Sequence, residues 1–209
     1  MDGPDHPQIY LITPRRFSLK EFCETLQNAL EAAPVACVRL DLDSDDVGEI
    51  SAVADALRGI LHERDIPLVI SEHFRLAERL GLDGVHLGDN SKLIRDLRRD
   101  WGADQIIGAF CGTSKHAGMG AGEAGADYIA FGPVEAERDL GTGATVDIAL
   151  FEWWSQFVEL PVVAEGGISL DAARSVARHV DFAAVGTEIW SAGNPGKALK
   201  DYAASLLGA

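Results

Sequence analysis

The amino-acid sequence predicts a closed (β/α)8 barrel. Short apolar runs alternate with helical-period segments from one end of the 209 residues to the other, and the runs number eight. Regular alternation of strand and helix implies parallel strands joined by right-handed crossovers. Eight units favour closure, where five or six would favour an open doubly wound sheet. The length suits one domain spanning residues 1–209, near the lower limit for a complete barrel.

Taken in order, the strand candidates are 9–13, 36–42, 68–70, 84–87, 105–110, 128–131, 162–165 and 182–185. The helical segments between and after them are 18–33, 47–64, 73–80, 91–101, 114–124, 148–158, 170–179 and 194–207. Ser18, with Glu21 three residues later, has the pattern of a capping box; Ser44 and Ser169 also precede helices as caps. Tyr128-Ile-Ala-Phe131 and Val162-Val-Ala164 are apolar on both faces, as expected of strands covered by helices outside and packing inside. The one long irregular segment, 132–146, contains three glycines and reads as a lid or mobile loop.

Composition narrows the function classes. Hydrophobic residues make up 47% and charged residues 24%, the balance of a soluble protein with one large core. The net charge is −15, from 33 acids against 18 Lys and Arg, and such a surface repels nucleic acid. Cys23, Cys37 and Cys111 lie far apart, which argues for a reducing compartment and against a disulfide framework or zinc site. The polar N-terminus is unlike a signal peptide, and no apolar run approaches the ~20 residues that span a bilayer. A cytoplasmic protein with no membrane partner is expected. Nucleophile-elbow, Walker and dinucleotide motifs are missing.

In such a barrel the site lies at the C-terminal strand ends. The pocket candidates there are Tyr10, Arg39, Asp41, Asp43, Ser71, His86, Asp89, Phe110 and Glu165. Barrels often hold a phosphate between the loops after strands seven and eight, where glycine amides approach anions closely. Gly166-Gly167-Ile168 and Gly186-Thr187 stand at those positions. Tight strand-to-helix turns would explain the same glycines. Asp41, Asp43, Glu72, Asp89, Glu135, Glu137, Glu165 and Glu188 also fall near strand ends. Converging carboxylates raise one another's pKa unless a metal or cationic ligand neutralises them, and magnesium is held by such groups; individually, each could equally face solvent. His86 reads as a satisfied pocket or core histidine ahead of a general base, and His116 as a surface or capping residue. The adjacent Trp153 and Trp154 cannot both face one core stripe, so helix packing with an oligomer contact is open beside packing alone.

With its strand ends laid out, the sequence resembles the thiamine phosphate synthase family. The resemblance spans nearly the whole chain. It is carried by Tyr10-Leu-Ile-Thr13, by Leu76-Ala-Glu-Arg-Leu-Gly-Leu-Asp-Gly-Val-His-Leu-Gly88, by Ala124-Gly-Ala-Asp-Tyr-Ile-Ala-Phe-Gly-Pro133, by Pro161-Val-Val-Ala-Glu-Gly-Gly-Ile168 and by Ala184-Val-Gly-Thr-Glu-Ile189. It implies a barrel, commonly a homodimer, that joins a thiazole phosphate to a pyrimidine methyl pyrophosphate with Mg2+ present. It implies that Gly166, Gly167, Ile168, Gly186 and Thr187 hold the thiazole phosphate.

The other half of the family pattern is replaced. Gln-x-Arg-x-Lys after strand two is here Arg39-Leu-Asp41-Leu-Asp43, so two pyrophosphate cations become aspartates. Asn-Asp after strand three is Ser71-Glu72, which leaves Glu72 as the magnesium candidate, and the second magnesium aspartate becomes Ser91. The serine after strand five aligns with Phe110, and Thr-x-Thr-Lys with Glu137-Arg138-Asp139-Leu140. The expectation is a divergent member binding a small phosphorylated heterocycle, with a degenerate pyrophosphate and magnesium site and altered or absent turnover. The alternatives are a thiazole tautomerase-like isomerase, whose histidine after strand five is here Gly112 with His116 nearby, and a non-catalytic protein that binds a phosphorylated thiazole.

Overall fold

The structure is a computed structural model and describes residues 6–88, 91–136, 140 and 143–208. Eight strands, β1 Gln8–Ile12, β2 Cys37–Leu40, β3 Leu68–Ser71, β4 Gly84–Gly88, β5 Ile106–Phe110, β6 Tyr128–Phe131, β7 Val162–Glu165 and β8 Phe182–Val185, pair in sequence order. All pairs are parallel, and β8 closes on β1 through Tyr10 opposite Ala184. The molecule is a single (β/α)8 TIM barrel, as the alternation predicts. Outside it lie α1 Leu19–Leu30, α2 Val47–His62, α3 Phe74–Leu80, α4 Ser91–Trp101, α5 Lys115–Ala124, α6 Ile148–Phe157, α7 Leu170–Val176, α8 Thr187–Trp190 and α9 Pro195–Leu207. The short α8, directly after β8, is an element the periodicity did not reveal.

Side-chain alternation along each strand builds two cores. Leu11, Val38, Leu40, Ile70, Val85, Ile107 and Phe131 point outward against Leu26, Leu57, Phe151, Trp154 and Leu199 of the helices. Tyr10, Cys37, Val69, Tyr128, Ala130, Val163 and Ala184 point inward and fill the barrel. Gly108 sits opposite Tyr128 on the neighbouring strand, and a Cβ there would lie 2.1 Å from the Tyr128 ring. The strand β5 lacks a side chain where the phenol needs room.

Asp83 and Asp127, inside two of the motifs quoted above, lie at the opposite end of the barrel from the site. With Asp181 they accept the amides of Leu68, Ile107 and Val162, each at 2.7 Å, and tie each strand's start to its neighbour. Their role is structural.

The caps differ in detail from expectation. Ser169 does cap α7, accepting from the Ala172 amide at 3.1 Å. Ser18 occupies the N-cap of α1 without a side-chain hydrogen bond. Asp46, not Ser44, caps α2, because its carboxylate reaches the Gly48 and Glu49 amides at 2.7 and 3.3 Å while Ser44 donates to Glu49. Trp154 is buried and donates to the Leu160 carbonyl, whereas half-buried Trp153 carries the Lys115 ammonium 3.1 Å over its ring. The segment 132–146 is pinned at its ends: the Val146 amide donates to Pro133 at 2.8 Å, and the Val134 amide to Gly166 at 2.8 Å. Positions 137–139 and 141–142 lie outside the described residues, so the lid expectation is left at those pinned ends. Among the described residues no helix is long and apolar enough to cross a membrane.

Candidate functional site

A cavity of about 350 Å³ opens at the C-terminal ends of the strands, where barrel sites belong. Its floor is ionic. Arg39 from β2 and Glu165 from β7 reach across the barrel and meet through two hydrogen bonds, Nη1 to Oε2 at 3.0 Å and Nη2 to Oε1 at 2.5 Å. Both are nearly fully buried. Burial alone would lower the Arg39 pKa; the carboxylate of Glu165 outweighs it and holds the guanidinium above its ordinary value.

Beside that pair runs a hydrogen-bonded column. The His86 Nδ1 lies 2.9 Å from the Tyr128 hydroxyl, which lies 2.7 Å from the Tyr10 hydroxyl. Burial, reinforced by the Arg39 charge, holds His86 well below its usual pKa, so the imidazole is neutral. Burial likewise raises both phenols. Among the described residues, His86 Nε2 and Arg39 Nε are buried side-chain nitrogens without a hydrogen-bond partner; His86 Nε2 stands 3.9 Å from Glu165.

The rim carries the charge pairs that sequence order alone could not place. Asp41 lines the cavity, its amide donating to Thr13 Oγ1 at 3.1 Å and its carboxylate 3.9 Å from Arg15. Arg15, from the loop after β1, lines the cavity too. Asp43 turns outward and binds exposed Arg16 at 2.9 and 2.6 Å. On the far side, Glu72 has a left-handed backbone with φ of 60°, and its carboxylate accepts the Gly88 amide at 2.7 Å. A non-glycine residue held there costs ~1 kcal/mol or more, a strain that clusters at functional sites.

The proposed phosphate cradle holds an unforeseen guest. Glu188 folds back so that Oε1 accepts the Ile168 amide at 3.0 Å and Oε2 the Gly186 amide at 3.1 Å. The amides of Gly167 and Thr187 have no protein acceptor among the described residues. Gly166 and Gly167 both lie at positive φ, 86° and 62°, and a Cβ on Gly167 would fall 2.8 Å from the Glu135 carbonyl. The glycines are therefore required by the turn itself, whatever else the turn binds.

Most candidates converge. Arg39, Asp41, Ser71, Glu72, His86, Phe110, Glu165, Gly166, Gly167, Gly186 and Thr187 all line the cavity. Tyr10 does not: it is buried one layer below, hydrogen-bonded to Tyr128. Asp43 does not, since β2 ends at Leu40 and the chain turns away. Ile168 contributes its amide while its side chain is core. Asp89 lies outside the described residues. His116 is exposed on α5 and off the lining. Sequence reading missed the Glu188 bonds; the available signal was an acid two residues after a cradle glycine, able to reach back to loop amides.

Among the described residues, the side chains do not make a two-carboxylate magnesium site: Glu72 already gives one oxygen to an amide, and Asp41 faces Arg15. Among the described residues no three potential ligands cluster.

Fold and cavity together define a (β/α)8 barrel with a polar, charge-paired site at its strand ends. The chain belongs to the thiamine monophosphate synthase family, whose model matches residues 9–189. It is 39% identical to a thiamine-phosphate synthase of Rhodospirillum centenum over 93% of this chain and 95% of the relative. Identity to the Erythrobacter litoralis thiamine-phosphate synthase is 36%, covering 97% and 96%. A thiamine phosphate pyrophosphorylase from Pyrococcus furiosus superposes with a TM-score of 0.83 at 27% identity, over 96% of both chains. Membership associates the chain with thiamine biosynthesis.

Proposed function

We propose that this family member binds a phosphorylated thiazole-type heterocycle and performs the family's coupling to a pyrimidine methyl pyrophosphate slowly or not at all. Gly166, Gly167, Ile168, Gly186 and Thr187 would hold the single phosphate. The observation that carries the proposal is the pairing of the cavity's cations. Arg39 is committed to Glu165 and Arg15 faces Asp41, while Glu72 and Glu188 line the same cavity without a cation partner among the described residues. A diphosphate entering there meets carboxylates where stabilisation of the leaving group requires positive charge. Each lost charge-assisted contact removes ~1.5–3 kcal/mol, and ~1.4 kcal/mol is tenfold in rate. Magnesium carries no step in this proposal.

The test is turnover of the two family substrates with Mg2+, beside the Rhodospirillum centenum relative under the same conditions. We expect a rate at least ~100-fold lower. Comparable turnover that disappears in Glu72→Ala would overturn the proposal and make this an ordinary synthase. A non-catalytic binding role is the second reading, favoured by the Gly167 and Thr187 amides, which no protein group among the described residues occupies. Calorimetry would then show binding of the thiazole phosphate without turnover. His116, the histidine on which a tautomerase-like reading leans, is off the cavity lining. The same proposal takes residues 1–209 as one cytoplasmic domain working as a homodimer, which sedimentation velocity checks.

A further inference from the structure

We infer that Glu188 is an internal anion that occupies two amides of the phosphate cradle, so that a phosphorylated ligand must displace it to engage the full cradle. The inference rests on the cradle assignment proposed above and deepens it. One carboxylate bridges the loops after β7 and β8 by accepting from Ile168 and Gly186, the two loops between which a barrel phosphate sits. Hydrogen bonds from amides to an ionised carboxylate are about twice as strong as neutral ones, so the competition is substantial. Among the described residues no Lys, Arg or His pairs with Glu188, leaving its charge on the cradle. Glu135 adds a second charge close by: after burial, these two acids are what push the Tyr202 hydroxyl up to about 12.

Displacement has somewhere to go. Glu188 and Gly167 stand between the mouth cavity and a second cavity of about 500 Å³, whose lining includes Arg174, Tyr202 and Glu135. Rotation of the Glu188 side chain into that space frees both amides. A phosphomonoester dianion bears the full cost of the exchange. An unphosphorylated alcohol can donate its hydroxyl proton to the carboxylate where it rests, so Glu188 also lowers the preference for phosphate over alcohol.

The experiment is calorimetry on the full chain at pH 8 with two probes, inorganic phosphate and the thiazole phosphate. The proteins are wild type, Glu188→Ala, Glu188→Gln and, as a neighbouring acid that accepts no cradle amide, Glu135→Gln. Glu188→Ala should bind both probes at least ~10-fold tighter than wild type, Glu188→Gln should fall between, and Glu135→Gln should shift by less than either. Should the alanine variant fail to fold, the glutamine variant carries the comparison. Wild type and Glu188 variants binding phosphate equally would overturn this inference and leave the cradle standing. Folded Glu188 variants that bind neither probe would overturn both.

Discussion

Arg39 and Glu165 meet end to end across the inside of the barrel, two hydrogen bonds joining β2 to β7 beneath the cavity. Removing either partner strands the other charge in the interior. Arg39→Ala or Glu165→Ala should each lose about 3–5 kcal/mol in urea unfolding. The double variant Arg39→Met/Glu165→Leu should recover to within ~1–2 kcal/mol of wild type, since matched apolar groups can replace a buried ion pair. A double variant no better than the singles would show that the pair itself is indispensable to the fold.

Asp41 and Asp43 have different surroundings, and their substitutions should separate. Asp41→Arg places a cation on the lining and releases Arg15, so inorganic pyrophosphate should bind ~10- to 100-fold tighter by calorimetry. Asp43→Lys, outside the cavity, should leave that affinity within about twofold. Equal gains from both would contradict the outward turn of Asp43.

Neutral, buried His86 ties stability to pH with a definite sign. Its folded pKa lies below the unfolded value of ~6.5, so the unfolded chain binds the extra proton first. The His86 contribution is complete above pH ~6.5 and is lost as pH falls, by up to ~1.4 kcal/mol per unit. Unfolding free energies at pH 7.5 and 5.5 should therefore differ more for wild type than for His86→Gln. Identical differences would place the imidazole in water.

Gly167 combines a left-handed backbone with a crowded Cβ position. Gly167→Ala should cost at least ~1 kcal/mol and lower the melting temperature by ~2–4 °C or more in scanning calorimetry. An unchanged melting temperature would mean that the loop after β7 relaxes freely.

The barrel was legible because strand and helix differ in period and the strands are apolar on both faces; seven of the eight strand candidates, such as 162–165, fall within one residue of the observed bounds at each end. The site was legible wherever position after a strand decides direction, as for Ser71, His86, Phe110 and the glycines. It was not legible where depth or partner decides. Tyr10 and Arg39 both come from inward-facing strand positions, and only the stagger of the sheet puts one in the packed layer and the other on the floor. Asp43 follows a strand that ends two residues earlier than its apolar pattern. Glu188 is invisible to local pattern because its partners, Ile168 and Gly186, come from two different loops.

Gly108 and Tyr128 show how tightly the interior constrains its own history. The ring fills the space that β5 leaves bare, so a larger residue at 108 collides and a smaller one at 128 opens a void. Neither position can drift alone. Any descendant that reshapes this layer, and with it the support under His86, must change both strands together.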